Sequence, residues 1–395
     1  MRTRYLGGIS RNTVLLACAS LFSDISSEML YPILPIFLTQ VLHASGSVVG
    51  VVEGIAEATQ SVVQGFSGWL SDKLRKRKAI ALIGYFLSTL GKPLMGVAGT
   101  WPVLLGGRFL DRFGAGFRSA PRDALIASSV PDEYRGRAFG LEGIGDNLGA
   151  FFGPLLAVLL FASLHFEIRR IFILAVIPGG LAFLMVLLVR ERPIPVAAKS
   201  KIDVSLRKFP PEYWKYLRVI AIFAIGNSSN SFLILQTKSV GASFAVTVLI
   251  YAGFNLVAAL ISYPAGSLSD RWGRRNILLA AFIIFFVTYL GFGRARSVAT
   301  IAVLFMFYGL FQGIFRSVGK ALASDFVPEP LRASAIGWYS AIVGLLALVA
   351  SVIAGWLWDH VGHTAVFYYG AIFAIAGCAG LLRIPARHRR TAFDS

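Results

Sequence analysis

The chain is 395 residues long, 56% hydrophobic and 15% charged, with 38 Lys and Arg against 20 Asp and Glu, a formal net charge of +18. So low a charged fraction excludes an ordinary soluble domain, in which about a quarter of residues are charged. A mean hydropathy of +0.69 makes lipid the expected solvent. Apolar runs of about twenty residues recur throughout, long enough to cross a hydrocarbon core of about 30 Å, and they lack the period-two alternation of a membrane barrel.

In chain order the predicted spans are 13–40, 47–69, 79–99, 102–124, 138–163 and 170–190, then 215–239, 243–265, 277–293, 299–322, 334–357 and 363–384. The first opens like a signal peptide, basic then apolar. Asp24 and Glu28 interrupt it and no small-residue cleavage site ends it, so it reads as a retained helix. Cys18 and Cys378 fall inside spans and imply neither a disulfide framework nor a thiolate metal site.

A charge of +18 would suggest nucleic acid in a soluble protein, but its distribution argues for topology. Basic residues gather before span one (Arg2, Arg4, Arg11), after span two (Lys73, Arg75, Lys76, Arg77, Lys78) and after span four (Arg135, Arg137). They recur in the linker (Lys199, Lys201, Arg207, Lys208, Lys215), after span eight (Arg271, Arg274, Arg275) and at the end (Arg383, Arg387, Arg389, Arg390). The alternate loops carry little beyond Arg169, Arg170, Arg294 and Arg296. This positive-inside pattern predicts a multi-pass inner-membrane protein with both termini cytoplasmic and no nucleic-acid partner.

The chain repeats itself. Gly68-Trp-Leu-Ser-Asp72-Lys-Leu-Arg-Lys-Arg77 returns as Gly266-Ser-Leu-Ser-Asp270-Arg-Trp-Gly-Arg-Arg275, an offset of 270 − 72 = 198. Val130-Pro-Asp-Glu-Tyr-Arg135 returns as Val327-Pro-Glu-Pro-Leu-Arg332 at 197, and Arg118/Arg122 as Arg316/Lys320 at 198. These anchors predict a six-helix bundle over 1–190, a cytoplasmic linker over 191–214 and a second six-helix bundle over 215–395, an all-α membrane protein of twelve spans.

The second copy of the loop resembles that of the major facilitator superfamily. The first copy departs from it, with Lys73 for the first Arg and Arg75 for the second Gly. The resemblance covers essentially the whole chain. It implies a gate in which Asp72, Asp270 and Arg271 latch the halves on the cytoplasmic side. Gly140, Gly149, Gly153 and Pro154 resemble the helix 5 motif of drug/proton antiporters, although Ala157 and Val158 stand where that motif ends in glycines. The plain alternative is helix packing. Arg108 falls on the family's helix 4 Arg, whereas Asp111 and Arg112 stand where Gln and Gly are usual.

Depth then singles out candidate residues. The midplane lies about ten residues from either interface, which gathers Asp24, Glu28, Glu57, Arg112 and Asp146 near one layer. Asp24/Glu28, Glu53/Glu57 and Glu142/Asp146 are acidic pairs one helical turn apart. Such charges are costly in lipid and are expected to face a cavity or a partner. With Arg108 and Asp111 they form the predicted proton-coupling layer, and Lys92 is expected to neutralise Glu53 or Glu57. The other half offers amides and aromatics for substrate: Asn227, Asn230, Asn255, Gln312, Tyr308, Trp338 and Tyr339.

No hydrolase, nucleotide-loop, haem or zinc pattern is present, so neither an enzyme nor a cofactor is expected, and no metal site. The expected function is that of a monomeric secondary transporter in the bilayer, exporting a small organic compound against protons by alternating access. Proton-coupled uptake and divalent-metal export are the alternatives.

Overall fold

The computed structural model describes residues 9–131, 134–191, 209–328 and 331–384. These form fifteen α-helices with two short π-helical turns. Arg2, Arg4, most of the predicted linker and the basic tail from Arg387 lie outside the described residues, as does the Asp72 side chain.

The first predicted span is a broken rod. α1 (Arg11–Glu28) starts on Ser10, whose hydroxyl accepts from the Thr13 amide at 3.1 Å. After 29–33 the chain resumes as α2 (Leu34–Ile36) and a π turn, Phe37–Val41. Pro32 explains the interruption: it donates no backbone hydrogen bond, and its ring crowds the carbonyl of Glu28 four residues back. The seventh predicted span breaks likewise, into α9 (Pro211–Gly226) and α10 (Ser231–Ser239). Here Asn227-Ser-Ser-Asn230 offers side chains that bond the local backbone in place of the helix. Ser229 accepts from the Ser231 amide at 3.2 Å. The breaks meet: the Tyr31 and Ser229 hydroxyls are 3.4 Å apart, and these residues are separated by 198 positions, the repeat offset. Reading 13–40 and 215–239 as continuous is thereby corrected.

The remaining helices are α3 (Gly46–Leu74), α4 (Arg77–Gly96), α5 (Trp101–Ser128), α6 (Arg135–Val158), α7 (Ile168–Leu174) and α8 (Val176–Leu187). After α10 come α11 (Phe244–Trp272), α12 (Arg274–Arg294), α13 (Val298–Asp325), α14 (Arg332–His360) and α15 (His363–Leu382). Pro178 separates α7 from α8 for the reason given for Pro32. α3 and α11 run past their apolar cores, so both copies of the repeated loop begin as helix. Arg75 ends α3 at φ 53, and Gly273 ends α11 at φ 86. The repeat thus needs a left-handed residue there; Gly273 adopts it without penalty, and Arg75 carries a steric cost.

Among the described residues, nine helical segments are long and apolar enough to cross a membrane. α1, α3 and α5 are the long helices outside that set. They carry Asp24 and Glu28, Glu53 and Glu57, and Arg108, Asp111 and Arg112, respectively.

Helices α1–α8 pack on one another, and α9–α15 do the same. The two groups meet along α3/α14 and α6/α11, with a smaller contact between α2 and α10. Alternating helix directions give two faces. The basic face carries the loops after α3, α5, α11 and α13, and the distal face carries those after the π turn, α4, α10, α12 and α14. The halves touch on the distal side. Gly50 and Gly54 of α3 lie against Ser351 and Leu348 of α14 so closely that a Cβ would collide. Phe161 packs on Phe244 at 4.0 Å. The same helix faces part toward the basic side. Gly65 continues the Gly54 stripe and Gly337 the Gly344 stripe; Gly143 shares the Ala150 face and Gly266 the Asn255 face. A Cβ on any of these four glycines would meet nothing within 4 Å. The interior is therefore a cleft, closed distally and open to the basic face.

Candidate functional site

The cleft wall is built first by small residues. A Cβ at Gly91 of α4 would come within 2.6 Å of the Gly107 carbonyl of α5, and one at Gly84 within 2.7 Å of the Gly114 carbonyl. Close approach of this kind sets the α4 side chains directly against those of α5. Asp111, only 1% exposed, is the result. It accepts from Ser88 at 2.6 Å and Lys92 at 3.1 Å, and pairs with Arg112 at 3.1 Å and Arg108 at 3.4 Å. Arg108 reaches on to Glu53 of α3 at 3.1 Å and lies 5.5 Å from the Tyr31 ring centroid. Arg112 donates to Gln60 at 3.1 Å. Lys92 thus pairs with Asp111, which corrects the expectation that it neutralises Glu53 or Glu57. A buried pair is costly to break because the remaining charge is left uncompensated, so this network fixes the relative positions of α3, α4 and α5.

A second cluster surrounds Arg122, three turns further along α5. It pairs with Glu142 at 2.8 Å, Asp123 at 3.0 Å and Asp146 at 3.8 Å, and donates to Ser20 at 2.8 Å. Ser20 in turn donates to Glu142 at 3.1 Å. Arg118, one turn earlier, lies 4.5 Å from the Tyr85 ring centroid, and its Nε is buried without a hydrogen-bond partner.

α1 runs between these clusters as a polar ladder: Ser20, Asp24 and Glu28 at successive turns. Glycines hold it against α6. A Cβ at Gly145 would approach the Ala17 carbonyl to 2.5 Å, one at Gly149 the Asp24 Cβ to 2.6 Å, and one at Gly153 the Ile25 carbonyl to 2.9 Å. Gly149 and Gly153 of the predicted helix 5 motif are therefore packing residues, joined by Gly145, whereas a Cβ at Gly140 would face open space. Asp24 lies in the fields of Asp146, Glu28, Arg118 and Arg122. Glu28 crosses to the other half, accepting from Tyr251 at 3.0 Å and Asn255 at 3.4 Å. It also lies in the fields of Arg112, Arg108 and Arg316. Glu57, half-buried, stands on α3 beside this group.

The amides and aromatics of the second half divide. Asn255 links the halves, donating to Glu28 and to the Ala150 carbonyl at 3.0 Å. Asn230 accepts from Tyr308 at 2.8 Å, and the Asn227 carbonyl oxygen is buried without a hydrogen-bond partner. Tyr308 and Tyr339 are 1% and 3% exposed, inside the core of that half. Gln312 and Trp338 are half-buried. In the gate region, Asp270 pairs with Arg274 at 3.2 Å, and Arg274 with Asp325 at 2.7 Å, within one half. Arg271 is exposed.

Three features escape the sequence reading. Arg118, Arg122, Arg316 and Lys320 read as markers of the repeat and turn out to be cleft residues; their i,i+4 spacing on two equivalent helices was the available signal. Ser20, Ser88 and Gln60 carry no signal in a helical context. The third is a distal cap. Asp359, near the end of α14, accepts from the Gly46 amide at 2.8 Å, the Ser47 amide at 2.7 Å and the Ser47 hydroxyl at 2.5 Å. A carboxylate at a helix N-terminus satisfies orphan amides and complements the helix dipole, so Asp359 ties one half to the other.

Comparisons with known proteins agree with this architecture. The family model described as Major Facilitator Superfamily matches residues 16–235 and again 217–394. An uncharacterized MFS-type transporter of Methanocaldococcus jannaschii is 34% identical over 380 residues, covering 95% of this chain and 94% of that one. A multi-drug resistance efflux pump PmrA homolog of Lactococcus lactis is 25% identical over 366 residues, covering 88% and 89%. Among solved structures, the nucleoside transporter NupG superposes with a TM-score of 0.79 at 14% identity, over 94% of this chain and 99% of that one. An all-helical chain with many membrane-length helices, a twofold repeat and relatives of this kind is a multi-pass secondary transporter, not an enzyme, and it belongs to the Major Facilitator Superfamily.

Proposed function

We propose that the chain exports a small organic compound in exchange for protons, with twelve helices spanning the inner membrane and the basic face in the cytoplasm. In that orientation the cleft opens inward, where a compound to be expelled is collected. Resemblance to a multi-drug efflux pump supports the outward direction.

The observation that carries the reading is the α1 ladder. Asp24 and Glu28 stand where the halves part, one turn apart, between the Arg122 cluster and the Asp111 network. Arg122 already holds Glu142, Asp146 and Asp123. A proton on Asp146 or Asp24 removes one claimant on Arg122 and Arg118 and lets these cations turn to the other. Such a rearrangement between discrete partners is the differential contact that a proton needs to bias one conformation. Glu28, bound across the cleft by Tyr251 and Asn255, passes that bias to the second half. Metal-ion export finds less support: among the described residues no three acidic, His or Cys side chains cluster to hold an ion.

The test is transport by the full chain in proteoliposomes carrying a pH gradient. Asp24→Asn is expected to abolish gradient-driven substrate movement while exchange between equal pools continues. Normal gradient-driven transport by both Asp24→Asn and Asp146→Asn would show these acids to be structural. Reporter fusions at Ser395 and His43 are expected on opposite sides of the membrane, with Ser395 inside.

A further inference from the structure

We propose that Arg316 and Lys320 of α13 form the docking site for an anionic group, so that the transported compound is a small organic anion such as a carboxylate, sulfonate or phosphate. The inference rests on the transporter reading above and specifies its substrate class.

Gln312, Arg316 and Lys320 succeed one another at four-residue intervals and share one face of α13. Two fields fix where that face points. Arg316 acts on Glu28, and Lys320 on Asp123, both residues of the opposite half. The stripe therefore fronts the cleft, and both cations are exposed there.

The cations of the first half are supplied with acids: Arg108 has Glu53, Lys92 and Arg112 have Asp111, and Arg122 has three carboxylates. Among the described residues Arg316 and Lys320 have no ion-pair partner. Their own half cannot provide one at that depth. Between Glu212 and Asp270, and between Asp270 and Asp325, the sequence contains no Asp or Glu. Asp270 and Asp325 are taken by Arg274, and Asp359 by the α3 N-terminus. Two like charges one turn apart destabilise a helix, and more so away from bulk water. An arrangement that is unfavourable when empty is satisfied by a mobile anion.

The repeat gives independent support. Adding the offset of 198 to the cleft charges of the first half replaces Glu53 by Tyr251, Glu57 by Asn255, Lys92 by Leu290, Arg108 by Met306 and Asp111 by Gly309. Arg118 and Arg122 alone retain cationic counterparts, Arg316 and Lys320. The second half has shed its acids and kept this pair. A guanidinium beside an ammonium combines a planar fork for a carboxylate or phosphate with a point charge. Glu28 faces the same guanidinium across the cleft, so a docked anion displaces the field of Glu28 and links substrate binding to the coupling ladder.

The test uses the full chain in nanodiscs with Cys18→Ser, Cys378→Ser and a reporter, Gln312→Cys, one turn from Arg316. Two methanethiosulfonates of similar size are compared, one bearing a sulfonate and one a trimethylammonium, each normalised to its rate with a small free thiol. The sulfonate reagent is expected to react at least about tenfold faster, the effect of two nearby cations in a partly screened cleft. Adding Arg316→Gln with Lys320→Gln is expected to erase that preference, and Arg316→Lys to preserve it. 2-Naphthoate is expected to protect the reporter where neutral 2-naphthylmethanol does not, with inorganic phosphate as the arm that separates an organic ligand from a bare anion. Equal rates for the two reagents, or a preference that survives the double substitution, overturn the docking site while leaving the open cleft intact. A reporter that reacts with neither reagent overturns the cleft itself, and with it the transport reading on which the proposal stands.

Discussion

Between α3, α4 and α5 the interior is held by Glu53, Lys92, Arg108, Asp111 and Arg112. The corresponding space between α9, α12 and α13 is filled by rings. Phe223 lies flat on Phe282 at 3.9 Å, Phe285 on Tyr289 at 3.9 Å, and Phe311 on Phe315 at 5.5 Å. The same six-helix plan thus tolerates two kinds of core. Lipid offers no hydrophobic drive between helices, so association rests on dispersion, close packing and polar contacts. One half leans on polar contacts, which can exchange partners when a proton arrives. The other leans on dispersion, which has no alternative partners and makes a stiff body. The comparison assigns chemistry to the first half and the complementary wall to the second.

The largest effect is expected from Asp111→Ala. It leaves Lys92, Arg108 and Arg112 facing Glu53 alone, and breaking a buried pair costs about 3–5 kcal/mol. Loss of monodisperse protein in detergent is the measurement; a normal melting temperature would show that the network does not hold the half together. Phe223→Leu should be milder, about 1 kcal/mol, because the ring pack loses contacts without stranding a charge. If Phe223→Leu proves as damaging as Asp111→Ala, the contrast between the cores fails. Asp24→Asn is expected to leave the melting temperature nearly unchanged while removing gradient-driven transport, since Asp24 touches the clusters through their fields rather than through a hydrogen bond. The smallest shift is expected at the caps. Asp359→Asn weakens an exposed, charge-assisted contact worth about 1 kcal/mol. It should move the population toward the distal-open state by about fivefold, read by spin-label distances across α3 and α14. Asp72→Asn, at the opposite end of α3, should move it the other way if the family's latch operates there.

The sequence by itself determined that the chain lives in a membrane, because no other solvent accommodates so many runs without a polar face. It also determined the repeat, since loop patterns at one offset survive without any knowledge of packing. Motif resemblance pointed to the family. Depth counting brought Asp24, Glu28 and Asp146 to one layer, because helical rise is fixed. Which charge meets which was decided only by the tertiary structure. Lys92 could reach several acids, and the glycine seam of α4 and α5 chose Asp111. The breaks at 29–33 and 227–230 were likewise hidden. Pro32 and the Asn-Ser-Ser-Asn run permit a break, but a continuous helix with a kink satisfies the same residues until the second half packs against the first. Arg316 and Lys320 illustrate the limit most clearly. One dimension shows that they repeat Arg118 and Arg122, and only three show that the acids accompanying the first pair have no counterpart beside the second.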